Sequence, residues 1–231
     1  MEQDATSSRT MASALAASIR ADVIKGVLAP GSKLRIKEMC ERYSAGHIPM
    51  REALSRLATS GFVVAEDQRG FRVSSVTAAE LADITETRCH VECETLRRSI
   101  ERGGLDWEER VTATHFRLSR LVMYAANGSG VDAEWERAHV ALHAALLSAS
   151  GSKWLETLSD LLRDQTARYR HLSVVPHNRP AGGPASEANR DVAAEHRAIV
   201  DAALARDDVR ACELLRQHFQ ATAELVLQQT A

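Results

Sequence analysis

The sequence has few of the residues that interrupt helices. Only 12 glycines and 5 prolines occur among 231 residues, and aromatic residues make up 4%. These low counts disfavour sandwiches and barrels, because their turns need glycine and proline and their strands favour aromatic side chains. The hydrophobic share of 45% and the charged share of 26% exclude wholesale disorder. We therefore expect a globular, mostly α-helical protein.

Long apolar segments and closely paired cysteines are also lacking. No run approaches the roughly 18–20 apolar residues of a membrane span, and residues 1–18 lack the basic start and long apolar stretch of a secretory signal. No membrane association and a cytoplasmic location are therefore expected, with all four cysteines reduced. None of them forms a CxxC pair, which excludes a structural zinc knuckle.

The net charge of −2 is unevenly distributed. Residues 1–75 contain 11 Lys and Arg against 8 Asp and Glu, whereas the remaining residues contain 18 basic and 23 acidic residues. A basic N-terminal part on an acidic body suggests a polyanionic partner for the N-terminal part. A difference of a few charges also arises by chance, so the charge distribution alone does not establish a polyanionic partner.

The first 75 residues predict three short helices, over residues 11–25, 34–43 and 49–60. Apolar residues recur in them at helical spacing, and a glycine follows closely after each. Two β-rich runs, residues 62–65 and 71–73, flank a polar turn and predict a hairpin. Three helices followed by a hairpin form a winged helix-turn-helix, a DNA-binding fold.

Several spaced motifs follow one another in PGSKLRIKEMCERYSAGHIPMREALSRLATSGFVVAEDQRGFRV. They are a PG turn, a Leu-Arg pair, a PxREAL helix and an RGxxV wing. This segment resembles the DNA-binding head of the GntR-type bacterial transcription regulators. It departs from that family at Gly46, His47 and Ile48, where Ser-Arg-Thr is usual. The operator sequence can therefore not be transferred from relatives.

Arg51 is the leading candidate for base recognition. We expect it in the first turn of the third helix, which a helix-turn-helix presents to base edges, and its guanidinium suits guanine or a phosphate. The other DNA-binding candidates are neighbouring residues that would hold the backbone, with a solvated surface role as the alternative for each: Lys33, Arg35, His47, Arg56, Arg69 and Gly70. The resemblance implies a palindromic double-stranded operator and a homodimer.

The remainder of the chain predicts helices only, near residues 78–102, 107–126, 132–149, 152–172, 187–205 and 208–229, with a long loop over 173–186. The predicted fold is thus mostly α, with an N-terminal winged helix-turn-helix and a C-terminal antiparallel bundle of six to seven helices. The predicted domains are a disordered tail at 1–10, a DNA-binding domain at 11–75 and an effector-binding and dimerisation domain at 76–231.

Four histidines fall within HVALHAALLSASGS, EHRAIVDAALARDD and LLRQHF. These stretches resemble the all-helical FCD domain of the FadR branch of GntR regulators. The resemblance implies that His143, His196 and His218 bind a divalent metal. His139 shares a helix face with His143 and stands where the family has Asp, so it either completes the site or turns away. An all-imidazole set favours zinc or nickel.

The resemblance also implies a pocket for a carboxylate effector beside the metal. Arg88 would clamp the carboxylate, with the alternative that Arg88 and Glu92 form a structural pair at i,i+4 spacing. Arg163 and Arg168 are on a helix expected to line the same cavity. The segments GFVVAEDQRGFRV and WERAHVALHAALLSASGSKWL resemble regulators of glutarate and related dicarboxylate catabolism, which implies a C4–C6 dicarboxylate.

The function expected from these patterns is a ligand-responsive transcriptional regulator, a repressor released by a small organic acid, and not an enzyme. One alternative is a DNA-binding dimer whose helical domain binds neither metal nor effector. A remote alternative is a metal-dependent hydrolase with Glu195 as its base. Cys89 and Cys93 are interpreted as packing residues, with metal binding or oxidant sensing as the alternative.

Overall fold

The computed structural model describes residues 2–66, 70–125, 131–173 and 190–230. Within these ranges the chain is mostly helical with one small sheet, which confirms the predicted fold class. Its contacts divide it into two compact units, Met1–Thr77 with Ala167–Leu172, and Ala78–Thr166 with Ser173–Ala231. No helix in the described part is both long enough and apolar enough to span a bilayer.

The N-terminal unit contains three helices and three strands: α1 (Glu2–Ile24), β1 (Lys33–Leu34), α2 (Ile36–Arg42), α3 (His47–Thr59), β2 (Val63–Glu66) and β3 (Gly70–Val73). The strands form an antiparallel sheet of order β1-β3-β2. The predicted hairpin corresponds to β2 and β3. Strand β1 was missed because two residues show no periodicity, and Leu34 pairs with Phe71 instead of opening a helix.

Two helices of this unit begin earlier than predicted. Helix α1 starts at Glu2, so the residues expected to form a disordered tail continue the helix from that point. Neither glycine nor proline occurs in α1, so nothing in the sequence breaks it. Helix α3 begins at His47 after the extended Gly46, with φ −74° and ψ 160°. Arg51 therefore lies in the second turn of α3 rather than the first.

A single apolar core joins the helices of the N-terminal unit. Ile19 of α1, Met50 and Leu54 of α3, and Phe62 are all buried in it. Burying each such side chain contributes roughly 1.5–3 kcal/mol. Gly61 adopts φ +79°, a left-handed conformation that ends the α3 segment and turns the chain into β2. The core thus fixes α3 and leaves its opposite face to solvent.

The second unit is a helical bundle made of α4 (Ala78–Arg102), α5 (Leu105–Ser119), α6 (Ala133–Leu147), the larger part of α7 (Lys153–Ser173), α8 (Val192–Leu204) and α9 (Asp208–Thr230). Residues 167–172 of α7 belong to the N-terminal unit. Helix α5 is shorter than predicted, because the chain leaves the helix at Arg120 and Tyr124 then forms an antiparallel bridge with Val131. Beyond Ser173, the predicted loop over residues 173–186 lies outside the described residues.

The bundle core lies among α4, α5, α6, α8 and α9. Leu96, Leu142 and Leu215 are buried at its centre, and α4 packs along α9. The Trp107 indole closes one end by donating a hydrogen bond of 3.0 Å to the Ala145 carbonyl. Gly103 permits this packing, since a Cβ there would lie 2.6 Å from the Trp107 ring. This frame holds α6, α8 and α9 around the predicted metal ligands.

Candidate functional site

Four histidines from three helices meet inside the bundle. His139 and His143 come from α6, His196 from α8 and His218 from α9, and each is buried. One ligand nitrogen from each histidine lies within 4.8 Å of the others. Trp135 stacks on His139 at 4.7 Å with an interplanar angle of 11°. The structure therefore brings together all four predicted ligands.

The ring nitrogens of this cluster fit a metal ion. The Nε2 atoms of His143 and His196 are buried and have no hydrogen-bond partner among the described residues. A buried polar atom without a partner costs about 1–3 kcal/mol, so the fold retains an unfavourable arrangement that a coordinated ion would resolve. Nitrogen ligands suit zinc, nickel, copper and iron. The cluster could therefore hold such an ion with four imidazoles.

Burial keeps these imidazoles in the state that binds metal. It is the main cause that lowers the pKa of His143 and His196 well below the usual value, and it also lowers the pKa of His218. The charges of the neighbouring histidines and arginines lower the pKa of His143 further. A neutral imidazole has a free lone pair, so these three rings can act as ligands without first losing a proton.

A carboxylate and an arginine orient His218. The Nδ1 atom of His218 lies 2.7 Å from Glu195 Oε2. Arg190 donates from Nε and Nη2 to the two Glu195 oxygens, at 2.6 Å each, and from Nη2 to the His218 carbonyl at 3.1 Å. Because Nδ1 is engaged by Glu195, Nε2 is the nitrogen of His218 that can act as a ligand, a pattern typical of metal-binding histidines. Sequence reasoning missed Arg190 altogether.

Arg88 lies in the same interior and is already paired. Its Nε donates to Glu92 Oε1 at 2.6 Å, and both side chains are almost fully buried. The guanidinium also stands 3.9 Å above the centre of the Phe219 ring. The alternative of a structural Arg88–Glu92 pair is thus observed. The positive charge of Arg88 also lowers the pKa of His143.

The two other predicted effector residues occupy different places on α7. Arg163 is buried in the second unit, where its charge also lowers the pKa of His143. Its Nη1 donates to Asp160 at 3.0 Å, and its Nε has no hydrogen-bond partner among the described residues. Arg168 instead belongs to the N-terminal unit, with its guanidinium 5.5 Å from the Phe62 ring centre. Arg163 alone of this pair lies beside the histidines.

The outer face of α3 presents the predicted DNA-binding side chains. His47 and Arg51 are four residues apart on this helix and both are exposed. Ile48 is 78% exposed at the start of the same helix, which sequence reasoning did not single out. An exposed apolar side chain there suits the methyl group of thymine. Ile48 in the first turn and Arg51 in the second turn thus present an apolar and a basic side chain to solvent.

The remaining DNA-binding candidates are distributed around that helix. Lys33 in β1 is exposed, and Arg35 is exposed and paired with Glu38 at 2.8 Å. Arg56 near the end of α3 donates to Ser13 at 2.7 Å, so it braces α3 against α1. Gly70 begins β3 with φ +95°, a conformation that favours glycine. Arg69 lies outside the described residues.

Comparisons with known proteins agree with this architecture. The family described as bacterial regulatory proteins, gntR family, matches residues 11–73, and the FCD domain family matches residues 83–221. The chain is 39% identical to the uncharacterised HTH-type transcriptional regulator BphR of Paraburkholderia xenovorans, over 91% of this chain and 82% of that protein. It is 35% identical to the HTH-type transcriptional repressor GlaR of Escherichia coli, over 92% and 94% of the two chains.

A solved structure has the same fold. E. coli McbR/YncC superimposes with a TM-score of 0.76 at 18% identity, covering 96% of this chain and 99% of that one. At this identity the likeness concerns the fold alone. It extends over both units, the winged helix-turn-helix and the helical bundle.

Proposed function

Because the chain belongs to the gntR family of bacterial regulatory proteins and carries an FCD domain, we propose that this DNA-binding transcriptional regulator is a repressor released by a small carboxylate. The similarity to a protein named a transcriptional repressor supports the direction of regulation. In this proposal it acts in the cytoplasm as a homodimer, and two copies of α3 read the halves of a palindromic operator.

The histidine cluster is the proposed sensor. Its support is the buried set of four imidazoles within 4.8 Å of one another, with two Nε2 atoms that have no partner among the described residues. We propose that His139, His143, His196 and His218 hold zinc or nickel. An ion held by these histidines would supply positive charge that attracts a carboxylate of the effector.

Two buried arginines complete the proposed effector site. Arg88 and Arg163 place positive charge next to the histidines, and a guanidinium binds a carboxylate through two parallel hydrogen bonds. A short dicarboxylate of four to six carbons would find positive charge for both of its carboxylates at this site. The effector releases the repressor by binding one conformation of the dimer more tightly than the conformation that binds DNA.

A gel-shift titration tests the whole proposal. The probe is the DNA upstream of the chain's own gene, and the protein is purified without chelator and analysed for metal. We expect a sequence-specific shift that weakens with salt and is reversed by one member of a C4–C6 dicarboxylate panel. A shift without any effect of acids, from protein free of metal, would favour a DNA-binding dimer that senses nothing.

The hydrolase alternative is disfavoured by the state of Glu195. Burial opposes ionisation of this carboxyl, but the hydrogen bonds from His218 and Arg190 outweigh burial and lower its pKa to about 2. A general base works best with a pKa near the working pH. Glu195 is therefore suited to orient His218 and is a weak base for activating water.

Glu195→Gln is expected to weaken metal binding by roughly 10–100-fold, the usual cost of losing an outer partner of a metal-bound histidine. The neutral amide no longer stabilises the His218 orientation through a charged hydrogen bond. The measurement is a competition titration with zinc, together with the melting temperature of the metal-free protein. The matched control is Glu134→Gln, which removes an exposed ion pair with Arg117. Equal zinc affinities for the two variants would contradict the positioning role.

Arg163→Met is expected to lower effector affinity by roughly 10–150-fold, since hydrogen bonds to charged groups contribute about 1.5–3 kcal/mol. Arg163 is a better position for this test than Arg88. Loss of Arg163 leaves its partner Asp160 in contact with water, since Asp160 is 68% exposed. Loss of Arg88 would leave the Glu92 carboxylate buried without its ion-pair partner. Calorimetry with the active dicarboxylate measures the loss. Arg117→Met, at a mostly exposed arginine, is the control. Unchanged affinity in Arg163→Met would remove this arginine from the effector site.

A further inference from the structure

Two cysteines on the neighbouring helices α4 and α9 contact each other's backbone. Cys93 lies on α4 and Cys212 on α9. The Cys93 Sγ is 3.5 Å from the Cys212 carbonyl oxygen, and the Cys212 Sγ is 3.3 Å from the Cys93 carbonyl oxygen. These reciprocal contacts place each side chain against the backbone of the other residue. A disulfide needs Cα atoms about 4.4–6.8 Å apart, and these two reciprocal contacts are compatible with that separation.

Small molecules can reach this pair. Both cysteines line an open groove of about 890 Å³ between α4 and α9, together with Cys89, Arg97 and Arg216. Cys212 is half-buried, whereas Cys89 and Cys93 are buried. The groove is therefore an entry path for an oxidant, and Cys212 is the more accessible of the facing pair.

We propose that Cys93 and Cys212 form a site of reversible oxidation, where a hydroperoxide converts the two thiols to a disulfide that joins α4 to α9. This inference is independent of the proposed effector and metal. It replaces the interpretation of Cys93 as a packing residue and leaves Cys89, on the same helix, in that role.

The two thiols have different parts in the reaction. The Cys212 thiol loses its proton, and the thiolate attacks one oxygen of hydrogen peroxide. The O–O bond breaks, and the departing hydroxide takes up that proton as water, which leaves Cys212 as a sulfenic acid. The Cys93 sulfur then attacks that sulfur, the S–O bond breaks, and the departing hydroxide takes the Cys93 proton as water. In sum, two thiols are oxidised to one disulfide and one hydrogen peroxide is reduced to two waters.

The electrostatics of the pair agree with this order. Hydrogen bonding with Cys93 lowers the pKa of the Cys212 thiol, and the same hydrogen bond, with burial, raises the pKa of Cys93. The positive charge of Arg216 favours both thiolates as a smaller effect. The attacking thiol is the one with the larger thiolate fraction, which is Cys212.

Peroxide treatment of the full-length protein tests the proposal. Thiol counting after denaturation is expected to fall from the four cysteines of the sequence to two, and dithiothreitol restores the count. Trypsin then releases residues 89–97 linked to residues 211–216, and the protein migrates as a monomer on a non-reducing gel. No linked peptide, or a covalent dimer on that gel, would overturn the proposal.

Single variants assign the bond. The linked peptide is expected to persist in Cys89→Ser and in Cys40→Ser, and to disappear in Cys93→Ser and Cys212→Ser. The Cys89→Ser control matters because the same tryptic peptide carries both Cys89 and Cys93. A link that survives in Cys93→Ser would assign the bond to Cys89 and overturn the proposed pair.

Discussion

Arg51→Ala is expected to weaken operator binding by roughly 5- to 150-fold for each half-site, because a bidentate contact to guanine contributes about 1–3 kcal/mol. In a homodimer both half-sites lose this contact, so the combined loss is larger. Arg51 is exposed on the outer face of α3, and truncating it leaves the core residues of the helix untouched. Gel shifts with the operator fragment measure the loss.

The matched control separates specific recognition from a general loss of positive charge. Arg137→Ala removes the same charge from an exposed position on α6, in the second unit. It is expected to leave operator affinity unchanged within about twofold. If Arg51→Ala weakens binding to all sequences equally and lowers the salt slope by about 1, Arg51 contacts a phosphate and not a base. Equal affinities for the two variants would contradict a role for the outer face of α3.

Much of the fold could be predicted from the sequence because its signals are local. Helix α4 has the predicted bounds, since apolar residues recur at helical spacing over its whole length and Gly103 follows its end. Strand β1 could not be predicted, because its two residues become a strand only by pairing with β3. The start of α1 was also missed. A segment rich in Ser and Thr, without Gly or Pro, predicts neither a helix nor a disordered tail.

Residue spacing alone predicted only those members of the candidate site that lie on the same helix. The i,i+4 spacing of His139 and His143 indicates one face, and the structure places both in the cluster. The positions of His196 and His218 came from the family resemblance. The Arg190–Glu195–His218 arrangement depends on how α8 and α9 pack, which no single-sequence pattern records. Arg168 illustrates the same limit, because its position on α7 did not reveal which unit it packs against.

His143→Ala is expected to weaken zinc or nickel binding by more than roughly 100-fold, because it removes a direct ligand. The loss of an outer hydrogen-bond partner of a metal-bound histidine costs at most about 100-fold. His143 is the most enclosed of the four histidines, so water does not readily replace its nitrogen in the cluster. Metal content after purification without chelator, and a competition titration, measure the effect. A ligand that binds only the folded state raises its stability, so added metal should also raise the melting temperature of the wild-type protein but not of the variant.

The control for this experiment is His90→Ala. His90 is exposed on α4, where its Nδ1 contacts the Glu86 carbonyl of the same helix at 2.9 Å. Its removal is expected to leave metal content and the metal-induced rise in melting temperature unchanged. If His143→Ala instead retains wild-type metal content, the four imidazoles are a packing cluster and the ion is bound elsewhere. That outcome would leave the DNA-binding role intact, since the winged helix-turn-helix and Arg51 belong to the other unit.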